Sequence, residues 1–505
     1  MASHIVYQMI NGIEYARLAT SIRVGEKVDS KAKTLGRVLD KEKGIFRSKE
    51  RGVFTYNHVT GEYGIPPASF SDKTLRKDHK EKLILDFGDA FFLHSYIRKS
   101  GLIPAIEAIG YGNNDTLNAI IMYYVLCLTA NCHAEAWYEG SYARMLYPEA
   151  NITGQRISEM LCSIGDEWSY REFFKEYAKL LKKRHEGADI LIDSTGLPNS
   201  IHFPLTAVSN HNGEISNEVR LIYAVQQGTN LPLYFRYCPG NVIDVSTLCT
   251  TINEIKAYNI DVKFAILDAG YLSDDNINEL YDGGISFVSR VKENTRIYKD
   301  AIKNILPSIE KKENRVTYNG RYAFIEKSEC IVGNGHKAYL YLGLDISMKN
   351  HESVKLMERA THNRMKTDEV FEAMERQGVF ALISSRPIAR DKILPTYYTR
   401  AQIEQVFDLC KNNTNMLPLR VHTEETFRGH LLIAFVASVI AKKLQEELKD
   451  TSLNPASAFQ LLRNQKCKVF AGTIIPQEAV KKVNDLYKKF GMKSPKTIAR
   501  KPNPV

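Results

Sequence analysis

The chain has 505 residues, about three times a common domain length, so more than one folded domain is expected. Hydrophobic residues at 44%, charged residues at 25% and aromatics at 10% exclude a disordered, collagen-like or solenoid chain. Sixty-eight Lys and Arg against 58 Asp and Glu leave a net charge of +10, which suits a polyanionic partner without identifying one.

In chain order, residues 1–75 read as a basic, strand-containing segment. Ten basic and five acidic residues lie between Arg23 and Arg51, either as a solvated surface of small strands and a helix or as a DNA-contacting arm. Residues 76–186 read as a helical domain from apolar residues at three- and four-residue intervals. After Gly187 the period changes to buried strands: ADILIDSTG ending at Asp193, a pair around Gly228-Thr229-Asn230, VKFAILDAG ending at Asp268, and ISFVSRVK. Residues 187–294 are thus an α/β core, residues 295–392 a β-rich insertion, and residues 393–450 a return to the core with two helices. Residues 451–505 form a helical, basic tail with a loose Lys-Pro-Asn-Pro-Val end.

The eight cysteines show no two-residue spacing and are expected to be reduced and mostly buried. The N-terminal residues lack the basic head and apolar block of a secretion signal. The apolar runs 117–130 and 431–441 fall short of the roughly 20 residues that span a bilayer. A cytoplasmic protein without a membrane partner is expected.

Two carboxylates at strand ends, Asp193 and Asp268, qualify as site residues, because a strand terminus holds a side chain rigidly at the rim of a sheet. Asp189 is the local rival to Asp193, but it opens its strand. A helix beginning near Thr396 supplies Tyr397, Arg400, Glu404 and Lys411, offset by 3, 7 and 14 residues. At roughly 100° per residue these share an arc of about 60°. Asp408 is a second acidic candidate on that helix. Three carboxylates from separate segments would suit a pair of Mg²⁺ ions, hard cations that take oxygen ligands and drive phosphoryl transfer. His202, His211, His422 and His430 are not spaced as metal ligands. No phosphate-binding Gly-x4-Gly-Lys-Ser/Thr loop or Gly-x-Gly-x2-Gly motif is present.

The Tyr-x2-Arg-x3-Glu-x6-Lys pattern at 397, 400, 404 and 411, with LIDSTG and LDAGYLSDDNINELYDGGISFVSRVK, resembles the DDE transposases of bacterial insertion sequences bearing this signature. Gly240-Asn241-x2-Asp244 is similar to a further element of the family, and the resemblance covers roughly residues 187–450. It implies an RNase H-like mixed-sheet core, with which the strand order agrees, and a metal-binding triad of Asp193, Asp268 and Glu404. Two Mg²⁺ ions, with Mn²⁺ as a substitute, are implied as cofactors. Tyr397, Arg400 and Lys411 would grip the DNA end. Asn241 is placed at the DNA with them, and so is Arg428, for which capping and packing of an apolar helix is the alternative. Relatives stack a Trp from the insertion on a flipped base. Here the tryptophans are Trp137 and Trp168, both before the core, and Tyr298, Tyr318, Tyr322, Phe324, Tyr339 and Tyr341 are the aromatics available.

The expected activity is cleavage at terminal inverted repeats and joining of the 3′ ends to target DNA, by a homodimer assembled on double-stranded DNA. The alternatives are an RNase H-like nuclease without strand transfer and a domesticated, non-catalytic DNA-binding descendant.

Overall fold

The computed structural model describes residues 2–499 apart from 11–12, 25–26, 49–50, 68–69, 71–82, 184–187, 200–202, 204, 212–213, 364–366, 420 and 471. The final Lys-Pro-Asn-Pro-Val and His202 lie outside the described residues. The chain divides into two compact units, Met1–Leu85 with Cys467–Glu478 and Ser494–Val505, and Asp86–Lys466 with Ala479–Lys493. Residues 451–505, read from sequence as one tail, are therefore shared between the two.

The first unit holds six antiparallel strands in sequential order: β1 (Ala2–Ile10), β2 (Ile13–Val24), β3 (Lys27–Asp40), β4 (Ile45–Ser48), β5 (Gly52–Tyr56) and β6 (Tyr63–Gly64). Alternation along the strands collects Ala16, Leu35, Phe46, Phe54 and Tyr56 into a buried cluster, with Ile5, Tyr7, Leu18 and Val38 packed against it. The described part of residues 1–64 contains no helix, so the expected mixture of small strands and a helix is corrected to a meander with strands up to 14 residues long. Gly36, at φ +115°, is required where β2 and β3 shift register, since a Cβ there would stand 2.1 Å from the Arg47 carbonyl oxygen. A second, four-stranded sheet joins β7 (Leu83–Asp86) to strands Lys466–Val469, Thr473–Pro476 and Ile498–Ala499. The region read as wholly helical from residue 76 thus begins with a strand.

In the second unit the ten-stranded sheet comprises β8 (Ala188–Pro198), β9 (Ala207–His211), β10 (Glu214–Gln226), β11 (Pro232–Pro239), β12 (Val262–Leu267), β13 (Ser286–Arg290), β14 (Arg315–Tyr318), β15 (Arg321–Val332), β16 (His336–Asp345) and β17 (Val379–Ser384). Their order is β11-β10-β8-β12-β13-β17-β16-β15-β14, with β9 paired to β10. β8, β12 and β13 run parallel and the remaining pairs antiparallel, which makes a mixed sheet. Parallel neighbours need helical crossovers, and Leu248–Ala257 and Asp274–Asp282 supply them.

The stretch 295–392, expected to be β-rich, carries β14 to β17 together with helices Ile346–Asn363 and Thr367–Glu375, and its strands lengthen the sheet that holds β8 and β12. One expectation changes here. β8 does not stop at Asp193. It continues to Pro198 because β10 pairs with it throughout, up to Glu218 opposite Pro198. What ends near Asp193 is the parallel pairing with β12, whose last partners are Ile192 and Leu267.

On the face of the sheet that carries Tyr223, whose ring meets Phe435, α1 (Glu424–Glu447) is buried on nearly every side from Phe427 to Leu444, as expected of a core helix. Helix Gly154–Ser163 packs so closely on it that a Cβ on Gly429 would fall 1.9 Å from the Leu161 carbonyl oxygen. His430 bonds Tyr124 and the Met416 carbonyl within this core, a packing role. No single described helix is long and apolar enough to cross a membrane. One bent pair, Asn114–Leu126 with Asn131–Gly140, passes by length and composition, yet its first member is buried along most of its length. None of the eight cysteines forms a disulfide. Only Cys410 and Cys467 are buried, while Cys132 and Cys162 are exposed, so the expectation of mostly buried thiols is corrected.

Candidate active site

Asp193 and Asp268 each follow the last residue of the β8–β12 pairing, Ile192 and Leu267, so they stand side by side where the two parallel strands part. Strands in such a pair lie about 4.8 Å apart, close enough for two carboxylates to compete for one cation. The cation present is a guanidinium. Arg400 sets Nη2 3.1 Å from Asp193 Oδ2 and Nη1 3.3 Å from Asp268 Oδ1. The Asp193 side chain is 11% exposed and that of Asp268 34%, so Asp268 marks the solvent side of the pair.

Burial raises the Asp193 carboxyl to about 6, and the neighbouring Asp268 adds to the rise. Arg400 and the Ser194 N–H, which donates to Oδ1 at 2.9 Å, oppose it. Burial disfavours the charge on Arg400, but the two carboxylates outweigh it and hold its pKa above the ordinary value. Tyr397 is buried beside Arg400, and burial pushes its phenol up to about 12 despite that cation.

The expected single helix from Thr396 is instead two, α2 (Arg390–Tyr398) and α3 (Ala401–Asn413). Thr399 stands at the break: its hydroxyl donates to the Thr396 carbonyl at 2.7 Å, a local bond that competes with helix propagation, and accepts from the distant Gln227 amide at 3.2 Å. Tyr397 therefore belongs to α2, Arg400 sits at the joint, and Glu404 and Lys411 belong to α3.

α3 lies along β8. Arg400 holds Asp193 at its start, and at its end the Lys411 ammonium donates to Thr195 Oγ1 at 2.7 Å and to the Gly196 carbonyl at 2.8 Å. Asp193 and Thr195 alternate onto one face of the strand, the face toward α3. Glu404 comes one turn after Arg400 and two turns before Lys411, so its Cα lies on the stripe that the two cations anchor to β8. Its side chain is exposed and has no hydrogen bond or ion pair among the described residues. Among those residues no group of three or more His, Cys, Asp or Glu is close enough to hold a metal ion. The structure thus brings together Asp193, Asp268 and Arg400, with Glu404 on the overlying helix and not joined to them. Asp408 lies on the flank of that helix and accepts from Asn412. Asp189, on the other end of β8, has its carbonyl bonded to the Gln227 N–H, far along the strand from Asp268.

Lys411→Met removes two charge-assisted bonds and is expected to lower stability by about 1–3 kcal/mol, read as a lower urea midpoint. An unchanged midpoint would show that the tether contributes nothing.

Asn241 is exposed in the turn after β11. Gly240 before it admits no side chain, since a Cβ would meet the Glu218 carbonyl oxygen at 2.2 Å. Arg428 pairs with Glu424 at 3.5 Å along α1, and its Nε is buried without a hydrogen bond among the described residues. Of the insertion aromatics, Tyr298 and Tyr341 are buried, Tyr322 is exposed, and Tyr318 stacks on Tyr398 at 5.4 Å between ring centres.

Sequence reasoning missed the other face of β8. There Ser194 Oγ donates to Asp244 Oδ1 at 2.6 Å and Arg220 Nη1 donates to the same oxygen at 2.8 Å. A charged residue inside the apolar run EVRLIYAV was the available signal for Arg220.

Residues 185–440, just over half of the chain, match the family described as Transposase DDE domain. The chain is 25% identical over 285 residues to the transposase for insertion sequence element IS1151 of Clostridium perfringens, covering 50% of this chain and 58% of that protein. It therefore spans less than two thirds of that curated relative. A solved piggyBac transposase synaptic complex with hairpin DNA gives a TM-score of 0.40 at 12% identity, covering 76% of this chain and 82% of that one, too loose a likeness to support an inference. By the family match over its sheet, the paired aspartates and the helix that overlies them, the chain belongs to the DDE transposase domain family.

Proposed function

We propose that this chain is a transposase with an RNase H-like core, cutting DNA at the terminal inverted repeats of its own insertion sequence and joining the 3′ ends to target DNA. The observation that carries this reading is the convergence of Asp193 and Asp268 on Arg400 at the rim of parallel strands. Two carboxylates facing one cation form an all-oxygen donor set, which suits Mg²⁺ or Mn²⁺ in place of the guanidinium. Asp193, Asp268 and Glu404 would hold the metal, which supplies activation of the attacking hydroxyl and stabilisation of the leaving oxygen.

The chain's own residues do the rest. Lys411 fixes the register of α3 on β8 and so the place of Glu404. Arg400, once released from the carboxylates, is free for a phosphate oxygen, which its planar fork matches. Tyr397 keeps its phenolic proton at neutral pH and so has an O–H to donate to a phosphate oxygen. Asn241 and Arg428 are proposed to contact the DNA, residues 1–75 and 76–186 to recognise the repeat, and the active species to be a homodimer on double-stranded DNA.

The test is strand transfer. Incubated with pre-cleaved terminal-repeat ends, Mg²⁺ and a supercoiled plasmid, the protein should insert the ends into the plasmid. Cutting of uncleaved ends without any insertion would favour the nuclease reading, and binding without cutting the domesticated one.

A further inference from the structure

We infer that Asp244 is a positioning residue for the metal-binding carboxylates, acting through Ser194 on Asp193 and through the turn after Asp268. This rests on the proposed reading of Asp193 and Asp268 as metal ligands.

Ser194 is locked at both ends. Its N–H donates to Asp193 Oδ1 and its hydroxyl to Asp244 Oδ1. Asp193 and Ser194 point to opposite faces of β8, so a bond that fixes Ser194 on the far face fixes the rotation of the strand that aims Asp193. Arg220 sits on that far face too, because Ile222 pairs with Ser194 and Gly196 with Arg220. The Arg220 side chain is only 9% exposed, and its bond to Asp244 holds the carboxylate that Ser194 uses.

The turn after Asp268 is clamped to the same place. The amide of Asn276 donates to the Val245 carbonyl at 2.8 Å and to the Tyr271 carbonyl at 2.7 Å, joining the turn that begins at Asp244 to the turn that follows Asp268. A Cβ on Gly270 would lie 3.1 Å from Asp244 Oδ2, so that turn passes directly over the carboxylate. Tyr271, in that turn, is fully buried. One acidic side chain therefore braces the backbone at both aspartates from the far face, while Arg400 and α3 face them from the near one. Outer partners of this kind orient ligands, and their loss costs about 10–100-fold in metal affinity.

Ser194→Ala and Asp244→Asn test this in the full-length protein by calorimetric titration with Mn²⁺ in the absence of DNA, alongside thermal unfolding in chelator. Ser194→Ala keeps the Asp244–Arg220 pair, so its unfolding midpoint should stay near that of the parent while its Mn²⁺ dissociation constant rises about tenfold or more. Asp244→Asn should raise the constant at least as much, and the double variant no further than the larger single effect. Parent-like Mn²⁺ affinity in both single variants overturns the inference. So does a shift confined to Asp244→Asn and accompanied by a lower unfolding midpoint, which is a structural role alone. Because no DNA is present, a protein that fails every transposition assay can still pass or fail this test.

Discussion

Asp193→Asn and Asp268→Asn are each expected to lower strand cleavage at a terminal-repeat end by roughly a thousandfold or more, while binding of the same end stays within about twofold. Bound metal contributes several kcal/mol to a phosphoryl-transfer transition state, and about 1.4 kcal/mol is a factor of ten in rate. An amide retains the size of the carboxylate but loses the charge, so the sheet edge keeps its shape while the site loses its hold on a divalent ion. Binding is spared because affinity for DNA comes from cations meeting phosphates, and removing a negative charge beside the backbone does not weaken it. Glu404→Gln should behave in the same way, since Glu404 is proposed as the third metal ligand. A labelled end resolved on a native gel for binding and a denaturing gel for cleavage reads both quantities from one incubation. Ordinary cutting by either aspartate variant removes it from the site. Ordinary cutting by Glu404→Gln would instead leave the aspartate pair in place and reopen the choice of the third acid.

The sequence carried the parts of this site that depend on local pattern. Apolar runs closing on Asp193 and Asp268 announced two buried strands, and the signature spacing found Arg400 and Lys411 on one stripe, where the structure has both cations reaching to β8. The parts that depend on long-range pairing were out of reach. That β8 runs on past Asp193 is decided by β10, more than twenty residues later, and no property of LIDSTG encodes it. That β14 to β17 extend the core sheet follows from β17 pairing with β13, across a gap of about ninety residues. The break at Thr399 was missed because helical periodicity describes side-chain faces and is silent on a hydroxyl that takes its own backbone as partner. The link from Asp244 to Ser194 and Arg220 was out of reach for a related reason: Arg220 stood out as a charge inside an apolar run and Asp244 as part of a motif, but nothing local joins residues that the fold brings together across separate strands.

Arg400→Ala, last, separates the two tasks assigned to this side chain. In chelator it leaves Asp193 mostly buried beside Asp268 with no cation between them, and removing one partner of a buried pair costs up to about 3–5 kcal/mol. Solvent at Asp268, a third exposed, screens part of that, so a loss of about 2 kcal/mol and a fall of a few degrees in unfolding midpoint is expected. Mn²⁺ should reverse it. A divalent ion in the variant meets two carboxylates with no guanidinium to displace, so the gain in midpoint between chelator and saturating Mn²⁺ should exceed that of the parent protein. DNA binding should move the opposite way, since the variant has one fewer cation for the phosphates: affinity for an end falls, and the slope of log affinity against log salt flattens by about 0.9. A variant as stable as the parent in chelator and no more responsive to Mn²⁺ would mean that the guanidinium does not stand in the place of a metal. An unchanged salt slope would mean that it never reaches the DNA.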